Sequence, residues 1–172
     1  FNWALGQGYL KDVDGNPYTG WPENPDPDNE DYNVYDPNGV LLCDMRSYYD
    51  GQNSWDHKLS KIVYEDGSFT VSSADGTDRS DHPVSEITWY GMAVYCNWLS
   101  EINGLTPAYE YDDGTGTYQI ITPFTDGFRH PTEAEWERAA AWDHDAQKKY
   151  KYGCGSDTLD TTMANYGAEN GW

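Results

Sequence analysis

Apolar positions along the chain change period several times, and each change predicts an element. Residues 1–39 hold no sustained period, because clusters such as Asp14-Gly15-Asn16-Pro17 and Asn24-Pro25-Asp26-Pro27-Asp28 interrupt them. Repeated Pro and Asp oppose ladder pairing and favour turns, so this stretch is expected to form a long surface excursion. Residues 1–50 as a whole read as an acidic, turn-rich N-terminal insert or extension. Val40-Leu41-Leu42-Cys43 is a short apolar run expected as a buried strand. Lys61-Ile62-Val63-Tyr64 and Ser68-Phe69-Thr70-Val71 flank Asp66-Gly67, and an Asp-Gly pair between such runs predicts a hairpin because both positions tolerate positive φ.

From Thr88 the period lengthens. Met92, Tyr95, Cys96, Leu99 and Ile102 recur at the steps of one helical face, with Thr88 placed to cap the start and Asn103-Gly104 to stop the helix in a left-handed turn. A second hairpin is expected where Tyr109-Glu110-Tyr111 and Tyr118-Gln119-Ile120-Ile121 flank Asp112-Asp113-Gly114. A second helix follows, opened by Thr132 and Glu135 as a capping box, with Pro131 able to pack on Trp136 and with Glu133 and Glu135 at the positive end of the dipole. Trp136, Ala139 and Ala140 then form a narrow face whose small residues permit close approach to a neighbour. The chain shows no internal repeat.

Composition narrows the partners. The 172 residues suffice for one domain with a core. Thirty Asp and Glu against 10 Lys and Arg give a formal charge of −20, which would repel nucleic acid and anionic membranes and favour cations. The chain is nevertheless not a disordered acidic tail, since 8 Trp and 15 Tyr supply large groups to bury. This composition suggests an exposed, extracellular or cell-surface setting. No apolar run approaches a membrane span and no signal peptide is visible; the chain opens on Phe1 and is expected to be processed or part of a longer sequence.

The candidate chemistry is sparse. Cys43, Cys96 and Cys154 are odd in number, fit no zinc spacing, and read as structural thiols. His57, His82, His130 and His144 are dispersed, without a helical i, i+4 pair. Glu133 and Glu135 are accounted for by capping, so with Glu137 they read as structural and not as an acid–base set. Asp12-Val13-Asp14-Gly15-Asn16 looks superficially like an EF-hand loop, but Pro17 falls where glycine is required. The acidic stretch 26–36 reads as a solvated face.

Four motifs in order carry a resemblance to a known family. His82-Pro83-Val84-Ser85-Glu86-Ile87-Thr88-Trp89-Tyr90, running through Ala93-Val94-Tyr95-Cys96-Asn97-Trp98-Leu99-Ser100, resembles the "HPV-x-x-V-S-W-x-D-A-x-x-Y-C-x-W-L-S" segment of formylglycine-generating-enzyme (sulfatase-modifying-factor) domains. Gly104-Leu105-Thr106-Pro107-Ala108-Tyr109 resembles that family's "G-L-T-P-x-Y" connection, and Phe128 through Glu137 resembles its "F-R-L-P-T-E-A-E-W-E" signature. Tyr152-Gly153 and Ala164-Asn165-Tyr166 resemble its "Y-P-W-G" and "A-N-Y" elements. His130 stands where Leu is usual and Gly91 where Asp is common.

The resemblance implies an α+β, loop-rich variant of the C-type lectin-like fold, with two main helices and short antiparallel strands or hairpins. Residues 1–172 are then expected to be a single, incomplete domain. It also implies a copper- and O2-dependent oxidase that converts a sulfatase cysteine to formylglycine. That chemistry depends on a C-terminal cysteine pair, whose thiolates suit a soft cuprous ion. The pair follows an "R-V-x-R-G-G-S-W" stretch that does not occur before Trp172, so it would lie beyond residue 172, and copper enters only with it. Family members also bind structural Ca2+ through oxygens, and Asn165 with the Tyr166 carbonyl matches one such site. The expected function is a non-catalytic binding or assembly module of a secreted or surface protein, similar to secreted bacterial proteins that carry the domain without an obvious catalytic pair. Its expected ligand is protein or carbohydrate, with self-association a further possibility; the alternative is the oxidase.

Overall fold

A computed structural model describes residues 1–20, 33–45, 62–71 and 80–164. Among these it contains three helices and four antiparallel strand pairs, an α+β architecture. The chain divides into two compact units, residues 1–129 and 130–172.

Local signals form the elements of the first unit. Strands β1 (Val34–Tyr35) and β2 (Leu41–Cys43) pair around a turn held by Asp36. The Asp36 carboxylate is buried, and its Oδ1 accepts the amides of Asn38 (2.9 Å) and Val40 (2.8 Å). Strands β3 (Ile62–Glu65) and β4 (Ser68–Val71) form the expected hairpin, with φ of 49° at Asp66 and 78° at Gly67, the positive pair that a two-residue turn needs. In such a hairpin Glu65 and Ser68 exchange the turn-closing bonds. The next pair, Tyr64 and Phe69, therefore aims its amides and carbonyls away from each other. The side chain of Asn2, in the short helix α1 (Asn2–Gly6), takes both outward groups of Phe69: Nδ2 donates to the carbonyl at 2.9 Å and Oδ1 accepts the amide at 2.7 Å.

Helix α2 (Trp89–Ile102) begins as expected: Thr88 Oγ1 accepts the Gly91 amide at 2.9 Å and donates to the Leu41 carbonyl at 2.6 Å. The Thr88 amide bonds the Leu42 carbonyl (3.0 Å) and the Asp44 amide bonds the Glu86 carbonyl (2.9 Å), so the segment before the helix extends β2. The first helical turn presses on that strand at Gly91. The helix ends at Asn103, where Gly104 (φ 69°) and Leu105 return their amides to Glu101 (3.0 Å) and Ser100 (2.8 Å), closing the last turn. Strands β5 (Tyr109–Asp112) and β6 (Thr117–Ile120) form the second hairpin. Asn97 ties it to α2, its Oδ1 accepting the amides of Ala108 (3.1 Å) and Tyr109 (3.0 Å) while Nδ2 donates to the Tyr109 carbonyl (2.8 Å).

Two expectations are corrected here. The N-terminal stretch is not simply a surface excursion: Ala4, Leu10, Tyr18 and Val34 are buried in one core with Leu42, Phe69 and Trp98. Irregularly spaced side chains among turns still converge on that core. On α2, the periodic face is also not the buried one. Gly91, Ala93, Val94, Trp98 and Ser100 are buried, whereas Met92, Tyr95 and Ile102 are 41%, 53% and 53% exposed. Small residues mark the contact face because they let the backbone approach β2 and the 105–128 loops.

In the second unit, helix α3 (Glu133–Ala141) starts with the expected capping box, the Thr132 amide donating to Glu135 Oε2 (2.8 Å) and the Glu135 amide to Thr132 Oγ1 (3.3 Å). Strands β7 (Trp142–Asp143) and β8 (Lys148–Lys149) follow as a hairpin. Of the small-residue face, Ala140 meets a neighbour closely: a Cβ on Gly153 would lie 3.3 Å from its carbonyl oxygen. Trp136, by contrast, is 63% exposed.

Candidate binding groove

A concave feature of the described residues lies in the first unit, along the flank where β4, the segment 80–87 and α2 meet. A hollow of about 580 Å³ is bordered by Phe1, Phe69, Val71, His82 and Val84 among others. A second hollow, of about 350 Å³, adjoins it at Phe1 and Val84 and runs under the first turns of α2 past Ile87, Met92, Tyr95 and Trp98. Each wall has a sequence cause. Leu42 faces the hollow from β2, and Ile87 is placed by its bridge to Cys43. Gly91 leaves room for the two elements to meet.

The smaller hollow is almost wholly apolar, its side-chain polar atoms being those of Tyr95 and Trp98. Among the described residues its walls offer no carboxylate, imidazole or thiol side chain. Val84, Met92 and Tyr95 are 58%, 41% and 53% exposed at its mouth. Covering one such apolar side chain fully would contribute about 1.5–3 kcal/mol, so the smaller hollow is suited to binding an apolar group.

The residues singled out from sequence lie elsewhere. Asn165 and Tyr166 fall outside the described residues, as does His57. None of the three cysteines is in a disulfide: Cys43 is buried in the core, Cys96 half-buried on α2, and Cys154 exposed in a turn of the second unit. Burial pushes the Cys96 thiol pKa up, leaving less thiolate at neutral pH. His82 and His144 are exposed and His130 half-buried. Glu135 is held in the capping box and Glu137 pairs with Lys149. Asp12 turns its carboxylate onto its own loop, accepting from the amides of Asp14 (3.0 Å) and Asn16 (2.8 Å) and from Asn16 Nδ2 (3.2 Å). Among the described residues no group of three or more His, Cys, Asp or Glu is placed to hold a metal ion. No helix among them is long and apolar enough to cross a membrane.

One polar cluster is buried and fully used. Asp36 Oδ2 accepts the Tyr118 hydroxyl at 2.5 Å and Asn38 Nδ2 at 3.2 Å, tying the β1–β2 turn to β6. Burial, then the bond to Asp36, raises the Tyr118 pKa well above the usual phenol range. This pair is structural, since every strong lone-pair direction of Asp36 already has a donor.

The groove was not anticipated from sequence. Its signal was present in the apolar stripe of Met92, Tyr95 and Ile102, which belongs to the exposed face of α2.

Fold and groove together define an α+β module with an apolar recess beside its main helix. The chain belongs to the family described as the sulfatase-modifying factor enzyme 1-like domain, which matches residues 29–171. It is also similar, at 32% identity over 116 residues, to a protein named Chaperone protein LppX from Paenibacillus barcinonensis. That alignment covers 49% of this chain and 41% of the relative, so the chain spans less than half of the relative's length. No solved structure is significantly similar to the chain.

Proposed function

We propose that this chain is a non-catalytic binding module of a secreted or surface-exposed protein, built on a C-type lectin-like variant of its family's fold, and that its groove receives an apolar segment of a polypeptide. The observation that carries the reading is the smaller hollow, open at Val84, Met92 and Tyr95 and, among the described residues, without a carboxylate, imidazole or thiol side chain on its walls. A carbohydrate suits it poorly, because sugar hydroxyls would leave water for a wall with few hydrogen-bonding partners. A relative named as a chaperone is in keeping with polypeptide binding.

The test is the binding of a permanently unfolded, fluorescently labelled model polypeptide, followed by anisotropy. Met92→Glu and Tyr95→Glu should each weaken it by roughly tenfold or more, since each places a charge where apolar area was to be covered. Absence of binding by the folded wild type refutes the reading.

Family membership also supports a second reading, a formylglycine-generating oxidase whose catalytic cysteine pair lies beyond residue 172, with copper bound by that pair. Conversion of a sulfatase-derived cysteine peptide by the longer protein, dependent on copper and O2, would establish it and displace the non-catalytic reading. For either function, Asn165 and the Tyr166 carbonyl are proposed to contribute to a structural Ca2+ site. At a free Ca2+ concentration of 100 times Kd, binding would stabilise by about 2.7 kcal/mol. A melting temperature of the longer protein that ignores Ca2+ and chelator would exclude this site.

A further inference from the structure

We infer that a second copy of this chain adds to the outer edge of β6, the two strands running antiparallel about a two-fold axis at Gln119. The ladder defines that edge. Strand β6 pairs with β5 and with no other strand among the described residues. The Ile121 amide bonds the Ala108 carbonyl at 2.9 Å, so Glu110 with Gln119 and Asp112 with Thr117 continue the hydrogen-bonded pairs, and the alternate pairs do not. The amides and carbonyls of Tyr109 on β5, and of Tyr118 and Ile120 on β6, therefore point outward. Asn97 agrees with this phase, since its side chain takes both outward groups of Tyr109 and closes that part of β5. No partner among the described residues takes the outward groups of Tyr118 or Ile120. The edge is separate from the groove, as neither hollow has a β6 residue on its walls.

A copy of β6 supplies the matching pattern by symmetry. Pairing about Gln119 sets Tyr118 against Ile120 of the second copy, and Ile120 against its Tyr118, each pair exchanging both N–H···O bonds. A tyrosine opposite a β-branched residue is a favourable cross-strand pair. Gln119 then faces Gln119, and Thr117 faces Ile121. Charge decides where a copy can approach. With a formal charge of −20, two chains repel each other over most of their surface. Residues 114–125 carry no Asp, Glu, Lys or Arg, so every residue brought face to face across this axis is uncharged. Gln119 and Ile120 are exposed, and β6 holds neither Lys nor Pro, the residues that commonly keep strand edges apart. A foreign strand would have to match the same register and the same absence of charge, which the copy does by construction.

The experiment is sedimentation equilibrium of the whole chain at rising concentration, at low salt and at about 0.5 M salt, with amide hydrogen exchange followed by NMR on the same samples. A reversible dimer is expected, tighter at high salt because screening removes the repulsion between copies. On dimerisation the amides of Tyr118 and Ile120 should become slow to exchange, while that of Gln119, already bonded to β5, should not change. Ile120→Pro removes an outward donor and leaves the β5 ladder intact, so stability to urea should hold while self-association weakens roughly tenfold or more. Gln119→Lys serves if Pro disturbs the fold. It sets two ammonium groups across the axis and should weaken the dimer roughly threefold, although it lowers the net negative charge and would strengthen any diffuse association. A chain that stays monomeric at roughly 1 mM overturns the inference, as does a dimer whose Tyr118 and Ile120 amides exchange as fast as the monomer's. A dimer lost on Met92→Glu but kept by Ile120→Pro would place the copy in the groove and overturn it too. Protection of Tyr118 and Ile120 only by an added extended peptide would make a foreign strand the occupant, with the same result.

Discussion

Replacing Gly91 with Ala tests how tightly α2 is docked on β2. A Cβ at this position would lie 2.1 Å from the Leu42 carbonyl oxygen, 2.9 Å from its carbonyl carbon and 3.1 Å from Ile87 Cγ2. Carbon–oxygen contacts normally fall near 3.3–3.6 Å, so the helix start must retreat by roughly 1 Å. The obstacle is backbone, and no rotamer change relieves it. Retreat stretches the 3.0 Å bond from the Thr88 amide to Leu42 and the 2.6 Å bond from its hydroxyl to Leu41, the two contacts that seat the cap. Overpacking of this kind costs about 1–3 kcal/mol and a weakened cap about 1 more, while Ala gains about 1 over Gly inside a helix. The net loss is roughly 1–3 kcal/mol, equivalent to a fall of about 2–12 °C in Tm for a chain of this size. Urea and thermal unfolding followed by circular dichroism would measure it. Gly6→Ala is the control, since nothing lies within 4 Å of its added Cβ and it should be neutral or slightly stabilising. If Gly91→Ala were as stable as the wild type, the close approach described for α2 and β2 would be wrong.

Asn97→Ala removes three bonds that hold the β5 end of the second hairpin and leaves two amides of residues 108–109 without their acceptor; a loss of roughly 2–3 kcal/mol is expected in chemical unfolding. Tyr118→Phe deletes a hydrogen bond to a buried carboxylate and should cost about 1.5–3 kcal/mol. Because the folded Tyr118 pKa is raised, its contribution is complete below the unfolded value near 10 and is lost as pH rises above it, so the same substitution should also flatten the decline in stability above about pH 10. An unchanged alkaline slope would contradict the burial of that hydroxyl. Alkylation of the native chain should proceed at Cys154 first, at Cys96 more slowly, and at Cys43 only on unfolding, as peptide mass mapping over time would reveal. Early labelling of Cys43 would be inconsistent with its place in the core.

Much of the local structure was legible because its causes are local. Asp66-Gly67 dictates a turn whatever surrounds it, and Thr132 with Glu135 satisfies a helix start using residues three apart. The family signature at residues 128–137 contains that same capping box, which is why it identifies the family well and the reaction poorly. The face of α2 was harder. Its sequence is apolar on more than one side, and periodicity gives little weight to Gly91, Ala93 and Ser100, whose small size is what allows the closest packing. The N-terminal core residues Ala4, Leu10 and Tyr18 obey no period, so only their tertiary partners reveal them. The groove needed more still, since Phe1, Leu42, Val84 and Tyr95 come from four separate stretches of chain. The proposed calcium residues Asn165 and Tyr166 came from the family resemblance alone.

The grip of Asn2 on Phe69 has a consequence for the chain among other chains. A two-stranded hairpin leaves a flank of outward amides and carbonyls that can template a strand from another molecule. On β4 the outward pair at Phe69 already faces a side-chain amide that imitates a strand's own peptide group, donating and accepting in the same plane. A foreign strand would have to displace that amide and forfeit two bonds before gaining its own. Asn2 thus acts as a one-residue stopper on β-sheet growth, placed at the outward position of β4 next to its turn.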